Sequence, residues 1–383
     1  MTQKISQKTT KILVNVCSMI LACTFLFSGF VKANDPYGTV YKMQDYLASV
    51  GMYDTPEYLV IIAAIMLAFV EFTMGVYLLF GIDRKRSSWL TVAFMTVMTL
   101  ITIYIYIYNP VSDCGCFGDA IILSNGATLL KNIVLLAMAV YVMRNKDMQL
   151  ELLRSGVKWL VSTASMTGIV VFAIWCIIKL PLIDFRPFKV GTDLRALHEA
   201  ASNPDLFDIK IVYERNGETL ELSPEDDDPD STWQYVETKR TLTNSEALQT
   251  SSFYINDPES GDEITEDVLY DDSFVFLLVI PNLNNADESC VDKVDEIYDY
   301  TQEEGFGFYC LTASADSESQ VYWNDHTGAD YPFYISDERV LKTVVRASPG
   351  LVLLKDGKII SKWGNYSLPT LNELKETLKQ HNV

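Results

Sequence analysis

Residues 88–119 read Ser88-Trp-Leu-Thr-Val-Ala-Phe-Met-Thr-Val-Met-Thr-Leu-Ile-Thr-Ile-Tyr-Ile-Tyr-Ile-Tyr108, then Asn109-Pro110-Val111-Ser112-Asp113-Cys114-Gly115-Cys116-Phe117-Gly118-Asp119. The first part holds no charge and reaches the length of ~20 residues that a helix needs to cross ~30 Å of hydrocarbon. The second part holds Pro110, Gly115 and Gly118, which exclude a regular helix. The stretch therefore reads as a membrane span that delivers a two-cysteine loop to one face of the bilayer.

Four further apolar runs repeat the first half of this pattern, at 12–31, 58–80, 127–143 and 156–178. The run at 127–143 is interrupted by Lys131-Asn132, and the run at 58–80 encloses Glu71. The run at 12–31 follows Lys4, Lys8 and Lys11, and Val31-Lys32-Ala33 also reads as a signal-peptide cleavage site. Its length exceeds the usual apolar core of a signal peptide, ~7–15 residues, which favours a retained span.

Charge divides the chain in the same place. Residues 1–190 carry 16 Lys/Arg against 11 Asp/Glu, and residues 191–383 carry 14 against 39. The formal net charge of −20 is thus a mildly basic apolar half joined to a strongly acidic one. The acidity argues against nucleic-acid binding, which needs positive surface to displace phosphate counterions. Lys and Arg concentrate before the first run, in Asp83-Arg84-Lys85-Arg86, and at Arg144, Lys146, Arg154 and Lys158. Alternation places all three on the cytoplasmic face. The 109–126 loop, which has no Lys or Arg, and everything after the fifth span then fall outside, in the periplasm of a bacterial inner-membrane protein.

Cys114 and Cys116 are separated by one glycine, which tolerates the backbone angles of a small ring. A disulfide across so short a span is expected to be strained, and strained, exposed disulfides are labile and suited to exchange. A static staple and a metal site are the alternatives. Metal is the weakest, because two sulfurs need further ligands and the chain has only His198, His326 and His381; no metal is expected. Glu71 has two readings, a buried carboxyl tying helices together and a proton or quinone site, since an ionisable group in a span must face the protein interior or a cavity. Cys17, Cys23 and Cys176 lie inside spans and read as small apolar residues.

These residues carry a resemblance. Phe27-Ser28-Gly29-Phe30-Val31-Lys32-Ala33 with Asp35-Pro36, Glu71 and Gly75, and Asp113-Cys-Gly-Cys-Phe-Gly-Asp119 resemble the DoxX/MauE family of small membrane proteins over about residues 10–145. The resemblance implies a four-helix membrane bundle (residues 1–147), to which 148–182 adds a fifth span. It also implies disulfide formation in exported proteins, as in MauE-like members, or quinone-linked sulfur oxidation, as in DoxD-like ones. Quinone is accordingly the one cofactor it suggests.

In the acidic half, Ile209–Glu214, Asn216-Gly217 and Thr219–Leu222 read as a hairpin, with Trp233–Thr238 as a further strand. The region 183–250 is expected to be a small β-rich extension or linker. Pro224 to Asp230 is an acidic loop without calcium-ligand spacing. From 251 onward, strands are expected at Phe253–Asn256, Phe274–Ile280, Phe306–Leu311, Tyr331–Ile335, Leu351–Lys355 and Lys358–Trp363. Helices are expected at Ser289–Glu303, Gln320–Asp325, Glu338–Val345 and Leu371–Gln380. Asp356-Gly357 is a strong hairpin turn.

This order resembles the thioredoxin fold of TlpA and peroxiredoxin-like proteins over 251–383. Ser348-Pro349 falls at that family's cis-proline, making Pro349 the cis-proline candidate. The family's Cys-x-x-Cys should open the helix after Phe274–Ile280, but Asp287-Glu288-Ser289-Cys290 supplies only its second cysteine. A helix N-terminus makes Cys290 a candidate reactive thiolate, which the neighbouring acids oppose; Cys310 is a candidate second thiol or a core residue. The whole is read as a helical membrane bundle followed by an α/β thioredoxin-like domain, relaying electrons or disulfides between exported protein thiols, or another periplasmic redox partner, and the membrane. Cys114, Cys116 and Cys290 are the expected catalytic residues. The alternatives are a membrane-anchored binding module with a degenerate thioredoxin-like domain, and a quinone-linked oxidoreductase subunit.

Overall fold

The computed structural model describes residues 2–53, 55–111, 114–202, 207–215, 218–223, 229, 232–242 and 253–381. Two compact units make up the chain, Met1–Phe185 and Arg186–Val383.

The first unit is helical. Among the described residues, five helices are long and apolar enough to cross a membrane, at Gln7–Asn34, Glu57–Phe80, Arg84–Tyr108, Asn125–Arg144 and Ser155–Lys179. They coincide with the five apolar runs. Helix α1 (Thr2–Asn34) stops at Asp35-Pro36, where the next helix begins: the Asp35 carboxylate accepts from Gly38 N at 2.9 Å, and Pro36 stands in the first turn, where no donor is missed. This helix, α2 (Pro36–Ser49), lies between the first and second apolar runs. Its Val40 packs on Val60 and Ala64 of α3 (Glu57–Phe80).

Close helix contact carries the bundle, because lipid tails compete for any apolar side chain and only tight packing or polar bonding favours protein over lipid. A Cβ added at Gly29 would lie 2.5 Å from Phe72 N, and one at Gly75 2.7 Å from Leu26 N. Both glycines thus bring the backbones of α1 and α3 together. Helices α4 (Arg84–Tyr108) and α5 (Asn125–Arg144) complete a core of Leu21, Phe25, Met74, Leu78, Met95 and Leu135. Helix α6 (Ser155–Lys179) joins it through Ile169 and Ala173 against Ala33 and Ala68. The buried Asn34 ties the far end of α6 down, donating to Ile183 O at 2.8 Å and accepting from Ile183 N at 3.0 Å. Leu90, Val97, Leu100, Leu130 and Val171 are exposed, as lipid-facing positions are.

The second unit contains two sheets. One is three-stranded and antiparallel, in the order β2-β1-β3, from β1 (Phe207–Arg215), β2 (Glu218–Leu222) and β3 (Gln234–Leu242). The Asn216-Gly217 turn and most of the Pro224–Asp230 loop lie outside the described residues. The other sheet has the order β6-β5-β4-β7-β8. Its central strand β4 (Phe274–Ile280) is buried at every position, as a strand covered on both faces must be. Strands β5 (Gly307–Thr312) and β6 (Phe333–Ile335) extend it in parallel, and β7 (Gly350–Lys355) and β8 (Lys358–Gly364) antiparallel.

Among the described residues, two short helices precede this sheet, α7 (Leu194–Ser202) and α8 (Thr265–Leu269). Helices α9 (Val291–Glu304), α10 (Ser317–Thr327), α11 (Glu338–Val344) and α12 (Leu371–Gln380) follow its strands in turn. This is the thioredoxin-like arrangement: parallel strand–helix units, then a Pro turn, an antiparallel hairpin and a closing helix. Asp356 and Gly357 both take positive φ, 51° and 70°, as a two-residue hairpin turn requires.

The expected strand at Phe253–Asn256 is a correction. Only Asn256 pairs, exchanging two backbone hydrogen bonds of 2.9 Å with Ile335. Phe253 and Ile255 are buried side chains of an irregular segment, and burial rather than pairing explains their apolar character.

Candidate functional site

The two-cysteine loop leaves α4 at Asn109, whose positive φ of 45° ends the helix. Asn125 at the start of α5 holds its first residues, donating to Asn109 Oδ1 at 2.7 Å and to Val111 O at 3.0 Å. Asp113, part of the motif, lies outside the described residues. Gly115 turns the chain with φ +64°, a conformation that costs an L residue ~1–2 kcal/mol. The turn brings the Cys114 and Cys116 sulfurs to 2.8 Å.

Three helices hold the loop from the protein side. From α2, the Tyr46 hydroxyl donates to Cys114 O at 2.8 Å, and the Lys42 stem lies where a Gly115 Cβ would meet it at 3.1 Å. From α1, Ser28 Oγ donates to Cys116 O at 2.7 Å, and Lys32 Nζ donates to the same oxygen at 2.7 Å. From α3, Glu71 Oε2 accepts from Lys32 Nζ at 2.8 Å. The third ammonium hydrogen reaches Ser28 Oγ at 2.7 Å. An ammonium has three donors, so Lys32 is fully satisfied while only 4% exposed; Glu71 is 3% exposed. A buried ion pair persists only where such added bonds offset the loss of hydration.

Of the two readings of Glu71, the geometry displays the helix tie, made through Lys32. Sequence reasoning singles out Glu71 and passes over Lys32. The available signal was a second, opposite charge near the end of another apolar run, four residues after a serine.

The loop's electrostatics are asymmetric. Cys116 is drawn down to about 6, first by the hydrogen bond from Cys114 and then, against its burial, by the cations Lys131 and Lys32, with Glu71 opposing. Cys114 moves the other way, because it gives its hydrogen bond to the Cys116 sulfur and is buried. The pair therefore holds one proton on Cys114 and presents Cys116 as a thiolate, the reactive form of cysteine. Lys131 of α5 is steered by Phe117, with its Nζ 4.2 Å from the ring centroid. Phe117 in turn packs on Phe27 at 5.5 Å between centroids. Phe117, Ile121, Leu123 and Thr128 border the two cysteines.

Among the described residues no group of three or more His, Cys, Asp or Glu side chains lies close enough to hold a metal ion. A quinone fits poorly at Glu71, since the carboxylate holds Lys32 and every Lys32 donor is taken by a protein oxygen.

The cysteine of the thioredoxin-like unit is placed differently. A 3₁₀ turn at Glu288–Cys290 opens α9, and Cys290 is only 5% exposed. Burial, reinforced by the Asp287 carboxylate, pushes its thiol up to about 11. The thiolate expected from a helix N-terminus is therefore absent at neutral pH, because desolvation outweighs the helix dipole. Asp287 stands against the proline turn: its N–H donates to Ser348 O at 3.0 Å, and the Ser348–Pro349 bond is cis. Its carboxylate accepts from Ser289 N at 3.0 Å and Asn365 Nδ2 at 2.6 Å. Burial works against its charge, but these bonds and one from Tyr366 hold it below the usual range. Cys310 is fully buried in β5, with its thiol pushed up by burial, and shares the apolar core with Cys290. Of the span cysteines, Cys17 and Cys176 are buried and Cys23 is exposed.

Residues 10–144 match the family model of the methylamine utilisation protein MauE. No curated protein matches the chain. Two solved structures from Bacteroides thetaiotaomicron are similar to it. A candidate protein disulfide isomerase is 17% identical over 34% of this chain and 83% of its own, with a TM-score of 0.26. The C-terminal domain of a candidate thiol-disulfide oxidoreductase is 17% identical over 33% of this chain and 89% of its own, with a TM-score of 0.27.

Proposed function

We propose that this multi-pass membrane protein exchanges thiols and disulfides with exported proteins through Cys116 and Cys114. The observation that carries the reading is the geometry of the pair: two sulfurs 2.8 Å apart, with the Lys32 ammonium on the Cys116 carbonyl beside them. In the exchange, the Cys116 thiolate attacks one sulfur of a partner disulfide, forming a mixed disulfide and releasing the partner's other sulfur as a thiolate. Cys114 then loses its proton to that leaving thiolate and attacks Cys116. The partner departs with one thiol and one thiolate, which takes its proton from water, and the protein keeps a Cys114–Cys116 disulfide. Two electrons pass to the partner; the reverse sequence passes a disulfide outward.

The basic loops orient the chain with Cys114, Cys116 and the whole acidic unit on the outer, periplasmic face of a bacterial inner membrane. The thioredoxin-like unit serves as the module that holds the partner. Asp287 in the place of the first cysteine and the buried, protonated Cys290 favour holding over exchange.

Trapping in cells tests the reading. Cys114→Ser removes the resolving thiol, so a mixed disulfide at Cys116 should accumulate as a slow-migrating band on non-reducing gels. Cys116→Ser should abolish it. If neither variant alters the pattern, and Cys114 and Cys116 stay reduced under every redox poise, the exchange reading is wrong.

A further inference from the structure

Lys32 and Glu71 are buried charges that the exchange itself does not consume, and they sit directly beneath the reactive loop. Lys32 Nζ reaches the Cys116 carbonyl at 2.7 Å, and Glu71 reaches the loop through Lys32, at 2.8 Å from its Nζ. The pair therefore does more than fasten α1 to α3: one of the three ammonium donors holds the backbone carbonyl of Cys116 itself.

Resting on the exchange reading, we propose that Lys32 and Glu71 are positioning residues that set the reactivity of Cys116 in opposite directions. The ammonium seats the Cys116 backbone and draws negative charge onto its sulfur; the carboxylate fixes the ammonium and cancels part of its field. Among the described residues, four titratable groups act on Cys116. Cys114 shares its proton, Lys32 comes from α1, Glu71 from α3 and Lys131 from α5. From α2, Tyr46 and Lys42 approach the neighbouring Cys114 and Gly115. In a poorly hydrated site each charge acts with little screening. Lys32 lowers the thiol and Glu71 raises it. A bond between helices has no such sign: cutting it from either side loosens the same loop.

The sign is therefore the test. Reduced full-length protein in lipid nanodiscs is alkylated with iodoacetamide across pH 4–10, and the rate at Cys116 is read by peptide mass spectrometry. Lys32→Met should move the midpoint up by about one pH unit, the usual effect of losing one close opposite charge. Glu71→Gln retains an acceptor for the ammonium and should move the midpoint down by about half a unit. Midpoints that move together, or not at all, overturn the proposal. The double variant Lys32→Met/Glu71→Gln leaves no unpaired charge and covers the case in which a single variant does not fold. Its midpoint should still rise, since the cation bonds the loop and the anion does not; an unmoved midpoint overturns the proposal. Alkylation needs no partner, so a failed trapping experiment with opposite midpoint shifts would reject the exchange reading and leave the charge effect standing.

Discussion

The loop at Cys114-Gly115-Cys116 and the corner at Asp287–Cys290 each place a cysteine beside charged groups, and the two environments act in opposite directions. In the loop, a neighbouring thiol and two cations draw Cys116 down to about 6. In the corner, burial and an aspartate push Cys290 up to about 11. The corner has the fold in which thiol chemistry is expected, with the cis-proline in place; Cys114–Phe117 belong to no helix or strand. Fold supplies a scaffold, and the chemistry follows the local field and hydration. Within this chain the sulfur drawn toward the thiolate belongs to the irregular segment.

The largest expected effect separates the two sites by what their charges support. Lys32→Ala or Glu71→Ala strands a buried charge, which costs about 3–5 kcal/mol when its partner is removed. Asp287→Ala removes a partly exposed helix cap and should cost about 1 kcal/mol. Denaturant-unfolding curves monitored separately on the two units should show the first loss in the membrane unit and the second in the thioredoxin-like one. Equal losses would mean that the Lys32–Glu71 pair is not sealed from water.

The next effect is the contrast in thiol reactivity. At pH 7 a thiol titrating near 6 is about nine-tenths ionised, and one near 11 about one part in ten thousand, a ratio of roughly 10⁴. Intrinsic nucleophilicity falls with pKa, by a Brønsted slope of ~0.4–0.5, which returns about two decades to Cys290. Iodoacetamide should therefore label Cys116 about a hundredfold faster than Cys290, before any steric protection. The signs differ with pH as well. The Cys116 rate should level off above about pH 7 and fall as pH drops through 6, while the Cys290 rate climbs toward pH 11. Equal rates at pH 7 would erase the contrast.

A smaller effect tests the cause at the corner. Asp287→Asn keeps the acceptor oxygen for Ser289 N but removes the charge. The Cys290 midpoint should fall by less than about one pH unit, because burial, the larger cause, is untouched. Alkylation of Cys290 between pH 8 and 12 measures it; a fall of several units would make the aspartate, rather than desolvation, dominant.

Much of the scaffold was legible because it is local. Uncharged runs of span length, the unbroken Phe274–Ile280 stretch, Asp356-Gly357 and the Thr370-capped Leu371–Gln380 each state their element within a few residues. The cysteine loop was legible for the same reason. What escaped was non-local or mixed in pattern. Lys32 and Glu71 are 39 residues apart, and nothing at either position names the other. Helix α2 interleaves Lys42, Gln44 and Asp45 with Tyr41, Met43 and Leu47, too polar to read as a span. Cys290 sits at a helix start, a cue for a low pKa, but the cue carries no measure of burial, and burial decides the outcome.

The smallest effect concerns the hinge of the cysteine pair. Gly115 holds φ +64° and Gly118 φ +52°, so alanine at either costs about 1–2 kcal/mol in backbone strain. The surroundings then separate them. A Cβ at Gly115 would meet the Lys42 stem at 3.1 Å, and a long flexible chain can swing aside. A Cβ at Gly118 would meet Val31 Cγ1 at 3.0 Å, and Val31 is 1% exposed on α1 with a stiff β-branched side chain. Gly118→Ala should therefore lower the unfolding midpoint of the membrane unit more than Gly115→Ala. Gly115→Ala should instead act on the sulfurs, because it strains the turn that faces them toward each other. In a glutathione redox series, the fraction of Cys114–Cys116 disulfide should fall for Gly115→Ala and stay near wild type for Gly118→Ala. If both variants lower it alike, the pair is held by the loop as a whole, and the single-residue turn has no special part in bringing the two thiols together.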